Sequence, residues 1–132
     1  MLNLFKTKKK TATILVIDNE ADLLSTIRTR LEWNKLKVFT ALNGSEGLDT
    51  AASQKPDLIL LDNNMPEMSG LEMLEQMREN PELKDIPVIM VTAVCEPQKI
   101  NAASSLGVID YITKPFDFAD LMQKITQILD KK

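Results

Sequence analysis

At 132 residues, 44% of them hydrophobic, the chain has the length and apolar content of one domain with a real core. Its net charge of −3 argues against a dedicated nucleic-acid binder, whose domain would be basic. The absence of histidine excludes Ser-His-Asp and Cys-His nucleophile systems and any His-ligated zinc, leaving carboxylates, hydroxyls and lysines to do any chemistry.

The chain begins MLNLF and then KTKKK, whose four lysines, set against the total of −3, leave −7 on the rest. Leu2, Leu4 and Phe5 precede the lysines, the reverse of a secretory signal, and no apolar run approaches the roughly 18 residues of a membrane helix. Residues 1–12 read as a basic tail, most simply a disordered solubilising arm and less simply a contact for an anionic surface. Residues 13–132 read as the folded domain. The single Cys95 allows no intrachain disulfide and fits a reducing cytoplasm.

Five short apolar runs follow: TILVI (Thr13–Ile17), LKVFTA (Leu36–Ala41), DLILL (Asp57–Leu61), PVIMVT (Pro87–Thr92) and VIDYIT (Val108–Thr113). The first, third and fourth are nearly continuous in Ile, Leu and Val, as parallel strands buried on both faces read. The second alternates more and suits an edge. Helical stripes fill the gaps: Leu23, Leu24, Ile27 and Leu31, then a weaker Leu48, Ala51 and Ala52. SGLE at Ser69–Glu72 is a capping box for a helix with Leu71, Leu74 and Met77 inward, stopping at Asn80-Pro81. Pro97 suits the first turn of a fourth helix that Gly107 closes; its small face of Ile100, Ala103 and Leu106 predicts the least firmly packed helix. Asp117 caps a fifth helix, with Leu121, Ile125, Ile128 and Leu129 inward. Five β-α repeats imply an α/β fold, an open doubly wound parallel sheet whose strand ends carry the function.

At those ends stand Asp18, Asn19 and Glu20 after the first strand, Asp62 after the third, Thr92 on the fourth and Lys114 after the fifth. Grouped carboxylates repel unless a cation sits among them. A hard divalent ion fits oxygen ligands, Mg²⁺ before Ca²⁺ given so few acids. Lys114 and Thr92 add donors suited to a phosphoryl group, and an Asp carboxylate can itself accept one. Taken singly, the bland readings compete: a helix cap for Asp18-Asn19, a strand residue for Thr92, a half-buried aromatic for Tyr111. The four segments together favour a site.

ILVIDNE (Ile14–Glu20), PDLILLDNNMPEMSG (Pro56–Gly70), VTA (Val91–Ala93) and DYITKPF (Asp110–Phe116) in this order resemble the receiver domain of bacterial two-component response regulators. The resemblance covers Thr13 to about Leu129. It implies a flavodoxin-like (βα)5 fold with strand order 2-1-3-4-5, and Asp62 as the residue phosphorylated. It also implies Mg²⁺ held by Asp18, position 19, Asp62 and the backbone carbonyl of Asn64. Thr92 would bond a phosphoryl oxygen, Lys114 would pair with Asp62 or its phosphate, and Tyr111 would switch position as Thr92 moves. Lys114-Pro115 is expected to be cis.

Position 19 departs from the pattern, which has a carboxylate there. An amide oxygen can coordinate but carries no charge, so the metal site is expected to be weaker than usual.

The implied protein is a single-domain cytoplasmic response regulator without an output domain, a phosphoacceptor rather than an enzyme beyond its own phosphorylation and dephosphorylation. Its donor would be a histidine kinase or histidine phosphotransfer protein, and its output a change in binding to another protein, with no nucleic-acid contact and no membrane insertion. Two rival readings are a receiver-like interaction module that works without phosphate and a Mg²⁺-dependent aspartyl-phosphate phosphatase. The phosphatase needs a second acid two residues after the nucleophile, where this chain has Asn64. A flavin-binding protein of this fold is weaker still, since no hydroxyl- or glycine-rich phosphate loop follows the first strand.

Overall fold

The computed structural model describes residues 11–93 and 97–131, so Cys95 and the lysine-rich segment at residues 6–10 lie outside the described residues. Strands and helices alternate: β1 (Thr13–Ile17), α1 (Ala21–Trp33), β2 (Lys37–Ala41), α2 (Gly44–Gln54), β3 (Leu58–Leu61), then α3 (Gly70–Glu79), β4 (Val88–Thr92), α4 (Pro97–Ser105), β5 (Asp110–Thr113) and α5 (Phe118–Asp130). The five strands are parallel in the order β2-β1-β3-β4-β5. The alternating β2 is indeed an edge.

Near-continuous apolar strands make sense once both faces of the sheet are covered. Ile14 and Val16 face one way, onto Leu24, Ile27 and Leu31 of α1 and Leu121 and Ile125 of α5. Leu15 and Ile17 face the other way, into the layer built from α2, α3 and α4. Side chains alternate across a strand, so every residue of such a strand finds a core.

Several helix positions are less buried than the sequence pattern implies, Leu23 of α1 among them. In α3, Met73 is fully buried and Leu71 only partly, because Leu71 sits in the first turn, where the helix leaves the sheet end. In α2, Ala52 is exposed, while Gly44, Gly47 and Ala51 form the buried stripe. A Cβ on Gly47 would meet Ile17 Cδ1 at 2.6 Å, so the closest approach of α2 to the sheet is made without a side chain. Leu129 of α5 is only partly buried. The capping box at Ser69 is formed as expected: its side chain accepts from the Glu72 N–H, and Glu72 accepts in return from the Ser69 N–H. Ala103 is the one fully buried residue of α4, consistent with a lightly packed helix.

Candidate functional site

Register brings the strand-end residues together. Ile17 pairs with Leu61, so Asp18 and Asp62 stand side by side one residue further on. Each is held by the neighbouring strand: the Asp18 N–H donates to the Ala41 carbonyl at 3.1 Å and the Asp62 N–H to the Ile17 carbonyl at 3.0 Å. Thr92 pairs with Thr113, and the Lys114 N–H donates to the Thr92 carbonyl at 3.0 Å, which brings Lys114 to the same end of the sheet. The peptide bond from Lys114 to Pro115 is cis, as expected.

Asp18 and Asp62 are nearly inaccessible, at 2% and 3% exposure, and Thr92 is buried as well. The Lys114 ammonium lies 2.6 Å from Asp18 Oδ2, 3.5 Å from Glu20 Oε1 and 3.7 Å from Asp62 Oδ1. The ion pair with Asp62 that the resemblance implies is present, but Asp18 is the nearer partner. Asp18 also accepts the Glu20 N–H on its other oxygen at 2.9 Å. Glu20, not Asp18 or Asn19, is the residue preceding α1, and it makes no side-chain cap bond. Asp18 thus caps the turn that leads into α1 rather than the helix start itself.

Burial pushes the Asp62 carboxyl above its ordinary pKa, and the neighbouring Asp18 charge pushes it further; Lys114 and the Asn64 N–H pull it back without cancelling the rise. For Lys114, burial works against the charge, but the hydrogen bond to Asp18 and the charges of Asp18, Asp62 and Glu20 outweigh it and raise its pKa. Asn19 and Asn64 are exposed beside the two acids. Among the described residues, no group of three or more His, Cys, Asp or Glu is arranged to hold a metal ion. The remaining donors are still two buried carboxylates with neighbouring amide and carbonyl oxygens. That hard, acid-poor set suits Mg²⁺ in kind, with one charge fewer than three acids would supply.

Two residues passed over in the sequence help build the site. Asn63 is buried; its side chain accepts the Leu71 N–H, and its carbonyl accepts from Met65 and Gly70, which folds the Asp62–Gly70 loop back on itself. Its only sequence signal is the amide immediately after Asp62. Ser104 of α4 lies 2.8 Å from the Tyr111 hydroxyl, which also donates to the Ile100 carbonyl. Tyr111 and Thr92 border one small cavity of about 20 Å³.

Comparisons with known proteins bear on the family and the fold. The model of the response regulator receiver domain family matches residues 14–126. The alkaline phosphatase synthesis transcriptional regulatory protein PhoP of Bacillus subtilis is 35% identical over 116 residues, 88% of this chain and 48% of its own length. The phosphate regulon transcriptional regulatory protein PhoB of Pseudomonas aeruginosa is 35% identical over 117 residues, 89% of this chain and 51% of its own. The chain thus spans about half the length of the curated relatives it matches. Among solved structures, Vibrio cholerae chemotaxis protein CheY4 superposes with a TM-score of 0.85 at 27% identity, covering 90% of this chain and 99% of that one. A CheY-like receiver domain protein from Methanospirillum hungatei gives 0.87 at 29%, covering 92% and 96%.

Proposed function

Because the chain belongs to the response regulator receiver domain family, we propose that Asp62 accepts a phosphoryl group and that the domain switches a protein contact in response. The observation that carries this reading is the buried Asp62 carboxylate, flanked by Asp18 and with the Lys114 ammonium 3.7 Å away. An Asp62 oxygen attacks the phosphorus of a phosphohistidine; the P–O bond forms as the P–N bond breaks, and the imidazole leaves. No histidine lies within these 132 residues, so the donor belongs to another segment or protein, a histidine kinase or histidine phosphotransfer protein.

Each residue has a part in this scheme. Lys114 shifts from Asp18 to a phosphoryl oxygen, and Thr92 donates its hydroxyl to another. Asp18, Asp62, the Asn19 amide oxygen and the Asn64 backbone carbonyl would hold Mg²⁺, which when bound neutralises charge on the phosphoryl oxygens. The new group brings nearly two negative charges and biases a two-state equilibrium that includes Tyr111 and α4. The net charge of −3 suits a protein partner better than nucleic acid for this domain, and the lone cysteine suits a reducing cytoplasm.

Incubation with acetyl phosphate and Mg²⁺, followed by intact mass, tests the reading. One added phosphoryl group, lost in Asp62→Asn, is the expected result; full labelling of Asp62→Asn would assign the acceptor elsewhere.

A further inference from the structure

The sheet edge formed by β5 carries Tyr111 against one turn of α4. Its hydroxyl donates to the Ile100 carbonyl, so its one proton is committed. The Ser104 hydroxyl at 2.8 Å then acts as donor to the Tyr111 oxygen. Residues 100 and 104 are four apart and share a helix face, so the phenol is gripped at two points on successive turns. Tyr111 also borders a cavity that it shares with Thr92, Met90 and Ala103. At about 20 Å³ that space has room for one water and not for a phenol ring. Tyr111 therefore cannot turn toward Thr92 unless α4 gives way, and the two hydrogen bonds tie Tyr111 to α4, whose seat on the sheet is set by the buried Ala103.

We infer that Ser104 is a positioning residue, a latch that holds Tyr111 on α4 and thereby sets how readily the domain leaves the conformation described above. This inference deepens the phosphoacceptor reading, on which its consequence for ligand binding rests; the latch itself does not. The grip from Ser104 exists only while Tyr111 lies on α4, so its loss favours the alternative conformation. A ligand that selects that conformation then binds more tightly by the same factor. A neutral hydrogen bond of ordinary worth makes that factor about three- to tenfold.

Tyr111 is the only tyrosine in the chain, so a protein labelled with ¹³C-tyrosine gives one set of ring resonances. In the ligand-free protein, Ser104→Ala is expected to shift those resonances toward the positions reached with beryllofluoride and Mg²⁺. Ser104→Thr, which keeps the hydroxyl, is expected to restore the parent spectrum. Beryllofluoride with Mg²⁺ should bind Ser104→Ala about three- to tenfold more tightly than the parent. Unchanged ring resonances in Ser104→Ala, or identical spectra for the Ala and Thr variants, would overturn the latch. If beryllofluoride fails to bind the parent, the phosphoacceptor reading falls; the ligand-free comparison, with the hydroxyl-retaining variant as its reference, still decides the latch.

Discussion

Lys114 Nζ rests 2.6 Å from Asp18 Oδ2 and 3.7 Å from Asp62 Oδ1, so the ammonium sits on the first-strand acid and only borders the third-strand one. It is the cation that lets two buried carboxylates share one pocket. Any divalent ion using Asp18 must compete with it. Lys114→Met should therefore tighten Mg²⁺ binding by about tenfold, roughly 1.4 kcal/mol. The same change should lower metal-free stability by about 3 kcal/mol, since it leaves buried acids without their counter-ion. Calorimetric Mg²⁺ titration and denaturant melts of the two proteins check both halves. Equal Mg²⁺ affinities would show that Lys114 does not compete for Asp18.

Asn19 is exposed next to Asp18, in the position where the family pattern has an acid. Asn19→Asp should tighten Mg²⁺ binding by about 1–2 kcal/mol after carboxylate repulsion is subtracted from the Coulomb gain. Without metal it should lower stability, because a third carboxylate joins the pocket. Millimolar Mg²⁺ should then raise the Tm more in the variant than in the parent. Equal shifts would remove side chain 19 from the metal site.

The raised pKa of Asp62 carries a pH dependence with a definite sign. Between the ordinary value of 3.8 and the higher folded value, the folded protein holds a proton that the unfolded chain has lost. Stability from this group therefore falls as pH rises through that window, and the ionised Asp62 is a net cost at neutral pH. Asp62→Asn should raise the Tm at pH 7, and the gain should shrink as pH falls toward 3.8. A pH series of thermal melts reads this directly; a gain that grew on acidification would contradict the burial argument.

Two glycines should respond unequally to a methyl group. A Cβ on Gly70 would meet the Asp62 carbonyl oxygen at 2.5 Å and Asn63 Cα at 2.8 Å, both backbone atoms at the start of the Asp62–Gly70 loop. Gly70→Ala should cost about 1–3 kcal/mol and slow labelling of Asp62. On Gly44 the Cβ would meet Met68 Sδ at 2.6 Å, the movable part of a flexible side chain. Gly44→Ala should stay within about 1 kcal/mol of the parent, helped by the helix preference of alanine. Chemical melts separate the two; equal costs would mean that the loop backbone yields as easily as a methionine.

Much of the architecture was legible from residue pattern alone. Continuous Ile, Leu and Val runs could satisfy a sheet only if it were covered on both faces, and alternating helical stripes supplied the cover. The capping box at Ser69–Glu72 and the cap at Asp117 are local devices, and local chemistry fixes them. The helix faces at Ala52 and Leu71 were not legible, because the side of an ambiguous stripe that is buried depends on how the helix lies on the sheet.

Which polar groups stand at strand ends can be read along the chain: Asp18, Asn19, Asp62, Thr92 and Lys114 follow or close apolar runs. Their pairing follows from how the strands and helices pack. Lys114 reaches Asp18 across 96 positions and past β3 and β4, which lie between β1 and β5, because all five parallel strands end on the same side of the sheet. Nor does any pattern in the chain link Ser104 to Tyr111. Their hydrogen bond exists because α4 packs beside β5, a relation fixed by burial of Ala103 rather than by either polar residue. Local periodicity selects elements and their caps; long-range partners of polar side chains follow from packing geometry, which a one-dimensional pattern does not contain.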